Sequence, residues 1–267
     1  MMQEDSLNQI SLAGVKAVVT GASSGLGLAM SEALGRAGAS VAMAARGEEQ
    51  LNHQAARLQA LGYHVHSLVM DVRSEASIAS AVQWVESTWG RIDLLVNNAG
   101  IGMRTVNRRF MLEPQPFYEV TAEGFRDVID TNLTGYFLVA KGFARMMVKQ
   151  REGKIVNISM NHSTMRRRGF VPYGPSRAGA ESLSYIMAED LQPYGVTVNM
   201  LLPGGATETG MIPEELKSQL AGPMLQPEIM AVPIVFLASK ASDGITGERI
   251  TATEFDAWYR ARFEQSV

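Results

Sequence analysis

The residues with the clearest chemical potential lie in three short stretches. "TGASSGLG" (20–27) holds three glycines, Gly21, Gly25 and Gly27, between an apolar strand and the start of an amphipathic helix. Glycine there permits a tight turn and a close approach of backbone to phosphate. The helix start offers free N–H groups and a positive dipole end to a pyrophosphate. A dinucleotide site is the expectation, and a tight turn without a ligand is the alternative. "VPYGPSRAGA" (171–180) places Tyr173 and Arg177 four residues apart, on one face of a helix. A guanidinium beside a phenol supplies fixed positive charge, because arginine does not give up its proton in practice. The alternative for Arg177 is a surface ion pair. Six arginines form the third feature, Arg104, Arg108 and Arg109 in one loop and Arg166, Arg167 and Arg168 in another. They point to an anionic substrate such as a sugar acid, or else to solvated loop charge or subunit contacts.

The elements that must position these groups alternate regularly. Strands are expected at 16–21, 40–46, 64–72, 92–100, 153–159, 195–204 and 248–255, with helices at 25–38, 48–61, 74–90, 121–150, 172–192 and 226–239. Ser74 reads as a helix cap over Ser77, with Glu75 nearby. The strands are nearly continuous runs of Val, Ile and Leu, as in a parallel sheet covered on both faces. Such alternation predicts an α/β fold, a doubly wound parallel sheet of about seven strands with right-handed crossovers. Ligands then bind beyond the carboxyl ends of the strands. One domain over 1–267 is expected, with residues 1–11 a flexible N-terminal segment.

Composition excludes several classes. The 267 residues are 46% hydrophobic and 19% charged, with formal net charge -3. That is ordinary for a globular chain and gives no general attraction to nucleic acid or acidic lipid. With no cysteine there is no thiolate nucleophile, disulfide or thiolate metal site, in keeping with a cytoplasmic protein. Four histidines without metal-ligand spacing make a metal site unexpected. The first residues, "MMQEDSLNQISLAG", lack an apolar signal core, and no apolar run approaches the ~20 residues of a membrane span.

Taken with "NNAG" (97–100), Asn132 in "NLTG", "GKIVNIS" (153–159), Tyr173 and "PG" (203–204), the T-G-x-x-x-G-x-G spacing resembles the short-chain dehydrogenase/reductase family over about residues 12–250. The resemblance implies an NAD(P)-dependent oxidoreductase interconverting a secondary alcohol and a ketone. It implies cofactor contacts from Gly21, Ser23, Ser24, Gly25, Leu26, Gly27, Asp71, Val72, Asn98, Ala99, Gly100, Tyr173, Arg177, Pro203, Gly204 and Thr207. The residue that meets the adenosine ribose is Ala45, followed by Arg46. With no carboxylate there and a guanidinium suited to a phosphate, NADP is favoured and NAD is the alternative. A solvated strand end is the bland reading of Arg46.

The resemblance makes Tyr173 the general acid/base and Asn132 an anchor of the proton relay. Two positions depart from the family. Its usual lysine is Arg177, which keeps the charge but cannot itself pass a proton. Its usual serine, a donor to the substrate oxygen, is Met160, and a thioether cannot donate. Ser159, His162, Ser163 and Thr164 are the nearby substitutes, although strand alternation turns Ser159 to the opposite face. The connection at 102–120 is longer than the family's usual loop. It and the loop after Met160 leave central strands, so Met160, His162, Arg104 and Arg168 are expected around the substrate. A non-catalytic cofactor-binding sensor is the alternative function. The family also implies a homo-oligomer, tetramer or dimer, through the helices at 133–150 and 173–192. Tyr136, Phe137, Phe143, Met146, Met147, Leu183, Tyr185 and Ile186 are the apolar residues there beyond one core stripe.

Overall fold

Seven strands lie side by side in one wholly parallel sheet. They are β1 (Lys16–Thr20), β2 (Ser40–Ala45), β3 (Val65–Val69), β4 (Leu94–Asn97), β5 (Gly153–Ile158), β6 (Val196–Leu202) and β7 (Arg249–Thr251), in the spatial order β3-β2-β1-β4-β5-β6-β7. The computed structural model describes residues 10–212 and 223–264. Residues 1–9 of the expected flexible segment lie outside the described residues.

Side-chain alternation assigns the two faces. Ala17, Val19, Val41 and Met43 pack into one core with helices α1 (Gly25–Arg36), α2 (Glu48–Ala60) and α8 (Ala231–Ala238). Val18, Ala42, Ala44 and Leu95 pack into the other, with α3 (Glu75–Trp89), α5 (Gly135–Gln150) and α7 (Tyr173–Leu191). Burial on both faces is the reason the strands read as unbroken apolar runs. Three further helices are short: α4 (Ala122–Ile129), α6 (His162–Met165) and α9 (Phe255–Phe263). Ser74 caps α3 by accepting from the Ser77 N–H, and Thr121 caps α4 through Gly124.

Three expectations need correction. The single helix drawn over 121–150 is α4 and α5 joined by a π-helical turn, Asp130–Thr134. That widened turn frees Asn132 from the ordinary ladder. The last strand is only Arg249–Thr251, and the rest of the stretch drawn to 255 turns into α9. Of the apolar residues assigned to an oligomer surface, Tyr136, Phe143 and Met147 are in the chain's own core. They continue the helical stripe of Val139 and Ala140. Phe137, Tyr185 and Ile186 remain exposed. The carboxyl-terminal α9 is anchored by rings: Phe236 of α8 packs against Phe255, Trp258, Tyr259 and Phe263. Trp84 and Trp89 form a separate aromatic group with His66 of β3.

No helix among the described residues is long and apolar enough to cross a membrane, and no group of histidine or carboxylate side chains there could hold a metal ion.

Candidate active site

Two cavities open at the carboxyl ends of the strands. They share Leu26, Asn98, Gly102, Thr209 and Met211 as a common wall. The larger, about 680 Å³, runs over the glycine turn between β1 and α1, then across the ends of β2 and β4. Gly21 and Gly25 have φ of +66° and +54°, which only glycine adopts without strain. A Cβ on Gly27 would sit 2.3 Å from the Gly21 carbonyl oxygen, so Gly27 lies beneath the turn and packs α1 against it. Thr20 and Asn98 lock the turn to β4. The Thr20 hydroxyl accepts from the Asn98 and Ala99 N–H groups, and the Asn98 amide donates to the Thr20 carbonyl at 2.8 Å. The amino end of α1 carries no side-chain cap, and Ser23, Ser24 and Gly25 line the cavity there.

This cleft fits a dinucleotide. Ala45 and Arg46 close one end with a guanidinium and no carboxylate, and Val72, Ala99 and Gly100 line the middle. Asp71 does not line it. Its carboxylate instead accepts from the Arg73 N–H and pairs with the Arg73 guanidinium. Burial raises the Asp71 carboxyl, yet the Arg73 bonds and the charge of Arg46 outweigh burial and hold it below its usual value. Arg104 also lines this cleft rather than the second cavity, because the turn Met103–Thr105 buries Met103 inward and sends its neighbour the other way. Pro203, Gly204 and Thr207 lie in the second cavity. Gly204, at φ +100°, is pressed by Thr253, whose hydroxyl oxygen would be 2.1 Å from an added Cβ. The turn after the last strand, Ala252–Glu254, thus backs that edge, a contact the sequence did not announce.

The second cavity, about 380 Å³, contains Tyr173, Arg177, Ser159 and Met160. Arg177 is not a surface residue: it is 3% exposed. Its Nη1 donates to the Tyr136 hydroxyl at 2.6 Å and to the Ile158 carbonyl at 2.9 Å. The guanidinium lies 5.4 Å and 5.3 Å from the ring centres of Tyr136 and Tyr173. Burial opposes its charge, but the two phenols more than compensate and hold the group above its ordinary value. Burial also pushes the Tyr136 hydroxyl up, against the pull of Arg177. A Cβ on Gly100 would meet Arg177 Nη2 at 2.5 Å, so the guanidinium forms the partition between the two cavities at that point. Both Tyr173 and Arg177 line this second cavity and not the larger cleft. The Tyr173 hydroxyl has the Met211 sulfur at 3.8 Å.

Asn132, fully buried in the π turn, uses its whole amide for structure. Its oxygen accepts from the Ile101 N–H, and its nitrogen donates to the Ile101 carbonyl and the Ser176 hydroxyl. It ties the segment after β4 to the helix that carries Tyr173.

Behind Met160 lies a charged cluster that sequence reasoning missed. Glu181 accepts from Ser159 Oγ at 2.5 Å, from Arg249 Nε at 2.8 Å, and pairs with His162 Nε2 at 2.9 Å. Arg249 also donates to the Met160 carbonyl at 2.7 Å. Burial raises the Glu181 carboxyl, and the bonds from Ser159, Arg249 and His162 outweigh that, leaving it below its usual value. Ser159 lines the cavity beside Met160 but spends its hydroxyl on Glu181, and His162 does not line the cavity. Arg168 is exposed and lines neither cavity, whereas its neighbour Arg167 lines the second, with its guanidinium 5.4 Å from the Phe170 ring centre. Arg109 pairs with Glu113. Glu181 and Arg249 are 68 positions apart, so only the sheet order brings them together.

The comparisons with known proteins agree with this geometry. The family model described as short chain dehydrogenase matches residues 15–219. Gluconate 5-dehydrogenase of Gluconobacter oxydans (strain 621H) is 34% identical over 247 residues, 89% of this chain and 93% of the relative. The crystal structure of a gluconate 5-dehydrogenase from Burkholderia cenocepacia J2315 in complex with NADP and tartrate superposes with TM-score 0.79 at 29% identity, covering 94% of this chain and 99% of that one. A 7α-hydroxysteroid dehydrogenase complexed with NADH and 7-oxo glycochenodeoxycholic acid gives TM-score 0.80 at 27% identity, covering 91% and 94%.

Proposed function

The chain belongs to the short-chain dehydrogenase family and is an NAD(P)-dependent oxidoreductase, and from that premise we propose that it interconverts a secondary alcohol and a ketone on an anionic compound, with NADP preferred. The observation that carries the reading is Tyr173 lining a cavity that meets the dinucleotide cleft along Asn98, Gly102 and Met211. The alternative of a non-catalytic sensor has no support from the relatives matched over most of their length, which are named as enzymes.

The cleft residues Gly21, Ser23, Ser24, Gly25, Ala99 and Gly100 would hold the dinucleotide, with Arg46 at the adenosine end and Pro203, Gly204 and Thr207 at the nicotinamide end. The bound nicotinamide supplies or accepts the hydride. The Tyr173 hydroxyl gives its proton to the substrate oxygen on reduction and takes it back on oxidation. Arg177, held by Tyr136 and Ile158, keeps a permanent positive charge beside that oxygen and favours negative charge developing on it. Asn132 fixes Ile101 and Ser176, and so the distance between cleft and acid/base. Met160 supplies shape but no donor. Besides Arg177, which the phenols engage, Arg167 lines the substrate cavity and is the cation offered to an anionic group, and the relatives named for gluconate put sugar acids among the anions to test.

The test is NADPH-dependent reduction across a panel of keto acids and neutral ketones, with cofactor affinities measured by calorimetry at one ionic strength. NADPH is expected to bind more tightly than NADH, and Arg46→Asp to reverse the order. Equal affinities in the unaltered protein would defeat the NADP assignment. An inert panel would defeat the reaction.

A further inference from the structure

Resting on the reading of this cavity as a carbonyl site, we propose that its substrate has an apolar body, aromatic or alicyclic, bearing one anionic group, and is not a polyol acid. The walls are the first observation. Met103, Phe110 and Phe170 form a small buried core of their own, and Met111, Met160 and Ile212 pack on it. All six line the cavity. Phe110 and Phe170 meet edge to face with centres 5.6 Å apart. This core is built by the long connection after β4 and the loop after β5, so the extra residues of 102–120 serve to roof the cavity with apolar surface.

The second observation is where the polar side chains of the lining spend their hydrogen bonds. Ser159 donates to Glu181, Asn161 to the Gly204 carbonyl at 2.9 Å, Asn98 to the Thr20 carbonyl, and Thr207 to the Gly205 carbonyl at 3.2 Å. A sugar acid brings four or five hydroxyls and would find these four side-chain donors already engaged, leaving too few donors for its oxygens. Each hydroxyl buried without a partner lowers affinity by roughly 10-fold. An apolar body loses nothing there and gains from burial against thioethers and rings.

The third observation concerns charge. Arg167 stacks on Phe170, the same ring that forms the wall, and no carboxylate pairs with it among the described residues. It offers a forked donor to a carboxylate at the edge of the apolar surface. Met103, Met111, Met160 and Met211 line the same cavity. Unbranched, flexible side chains re-pack around differently shaped bodies, so several apolar keto acids are accepted rather than one.

The experiment compares 4-oxo-4-phenylbutanoate, its neutral counterpart butyrophenone, and 5-ketogluconate. Each is measured as kcat/KM with NADPH, and separately as affinity for the NADP-loaded protein by calorimetry. The aryl keto acid is expected to exceed 5-ketogluconate by at least about 100-fold in kcat/KM, following the roughly 10-fold loss for each of several unmatched hydroxyls. Arg167→Gln is expected to lower the aryl keto acid by roughly 10- to 100-fold and to lower butyrophenone by clearly less, so that the preference for the acid is lost. Equal or better turnover and affinity for 5-ketogluconate overturn the proposal, as does an Arg167→Gln protein that keeps its preference for the acid over the neutral ketone. If none of the three turns over, yet the aryl keto acid still binds more tightly than 5-ketogluconate, the substrate class stands and the oxidoreductase assignment of this cavity is what fails.

Discussion

Removing the hydroxyl of Tyr136 should destabilise the protein without stopping its chemistry, whereas removing that of Tyr173 should do the reverse. The two phenols flank one guanidinium at nearly equal distance, 5.4 Å and 5.3 Å, so they test position rather than proximity. Tyr136→Phe takes away the acceptor of the 2.6 Å bond from Arg177 and the donor to the Ile158 carbonyl. Arg177 Nε already has no hydrogen-bond partner among the described residues, and at 3% exposure water offers little replacement. A bond to a buried charged group contributes about 1.5–3 kcal/mol. The Ile158 carbonyl keeps its bond from Arg177, so a net cost of about 2 kcal/mol is expected. For a chain of this size that corresponds to a fall in Tm of about 4–8 °C. The Tyr173 hydroxyl has the Met211 sulfur at 3.8 Å and a weaker hold on Arg177 than Tyr136 has, so Tyr173→Phe should cost less stability than Tyr136→Phe, within about 1 kcal/mol. Its turnover should fall by about 10²–10⁴, the range for loss of a positioned acid/base, while NADPH affinity is retained. Thermal unfolding by circular dichroism and NADPH turnover, measured on both variants, give the four numbers. Turnover surviving Tyr173→Phe refutes the assignment of the proton. Tyr136→Phe losing turnover as completely, at an unchanged Tm, would move the catalytic role to the other phenol.

Four more outcomes are expected. Gly27→Ala should weaken NADPH binding at least about 10-fold by calorimetry, since its Cβ would meet the Gly21 carbonyl at 2.3 Å; unchanged affinity would show that the turn yields. The Glu181 carboxyl is held below its usual value, so its stabilising contribution is present above the ordinary carboxylate range and is lost as pH falls through the depressed folded value. Denaturant midpoints should therefore show Glu181→Gln costing about 3 kcal/mol near neutrality, with the gap to the unaltered protein closing below about pH 4; a gap independent of pH contradicts the network. Met160→Ser should raise kcat by up to ~10²-fold by restoring a donor at the substrate oxygen, and no gain means another group already serves. Sedimentation at micromolar concentration should show an oligomer that Ile186→Glu dissociates, because Phe137, Tyr185 and Ile186 leave apolar surface exposed on α5 and α7; a monomeric unaltered protein rejects this.

The architecture was legible because parallel strands buried on both faces and separated by capped helices leave a periodic mark on the sequence. The glycine turn was legible for a similar local reason, since Gly21 and Gly25 need left-handed backbone. What escaped was non-local. Nothing near Glu181 announces Arg249, since they meet only because β7 lies beside β6. The π turn at Asn132 has ordinary helical residues on either side. Arg177 had a surface ion pair as its alternative reading until burial placed Tyr136 against it. Arg104 lines the dinucleotide cleft, and Arg167 rather than Arg168 lines the second cavity, because short turns, rather than a periodic element, decide which way each side chain leaves the loop.

The aromatic anchorage of α9 has a spectroscopic consequence. Trp258 sits in that ring cluster beside β7, while Trp84 and Trp89, 5.2 Å apart, sit beside β3 at the opposite edge of the sheet. The chain has three tryptophans, so its ultraviolet emission divides between two edges that share no ring contact. Trp258→Phe silences one edge, and a paired Trp84→Phe, Trp89→Phe variant silences the other. Unfolding followed by emission in these two proteins then times the release of each edge strand separately, with no label attached to the chain.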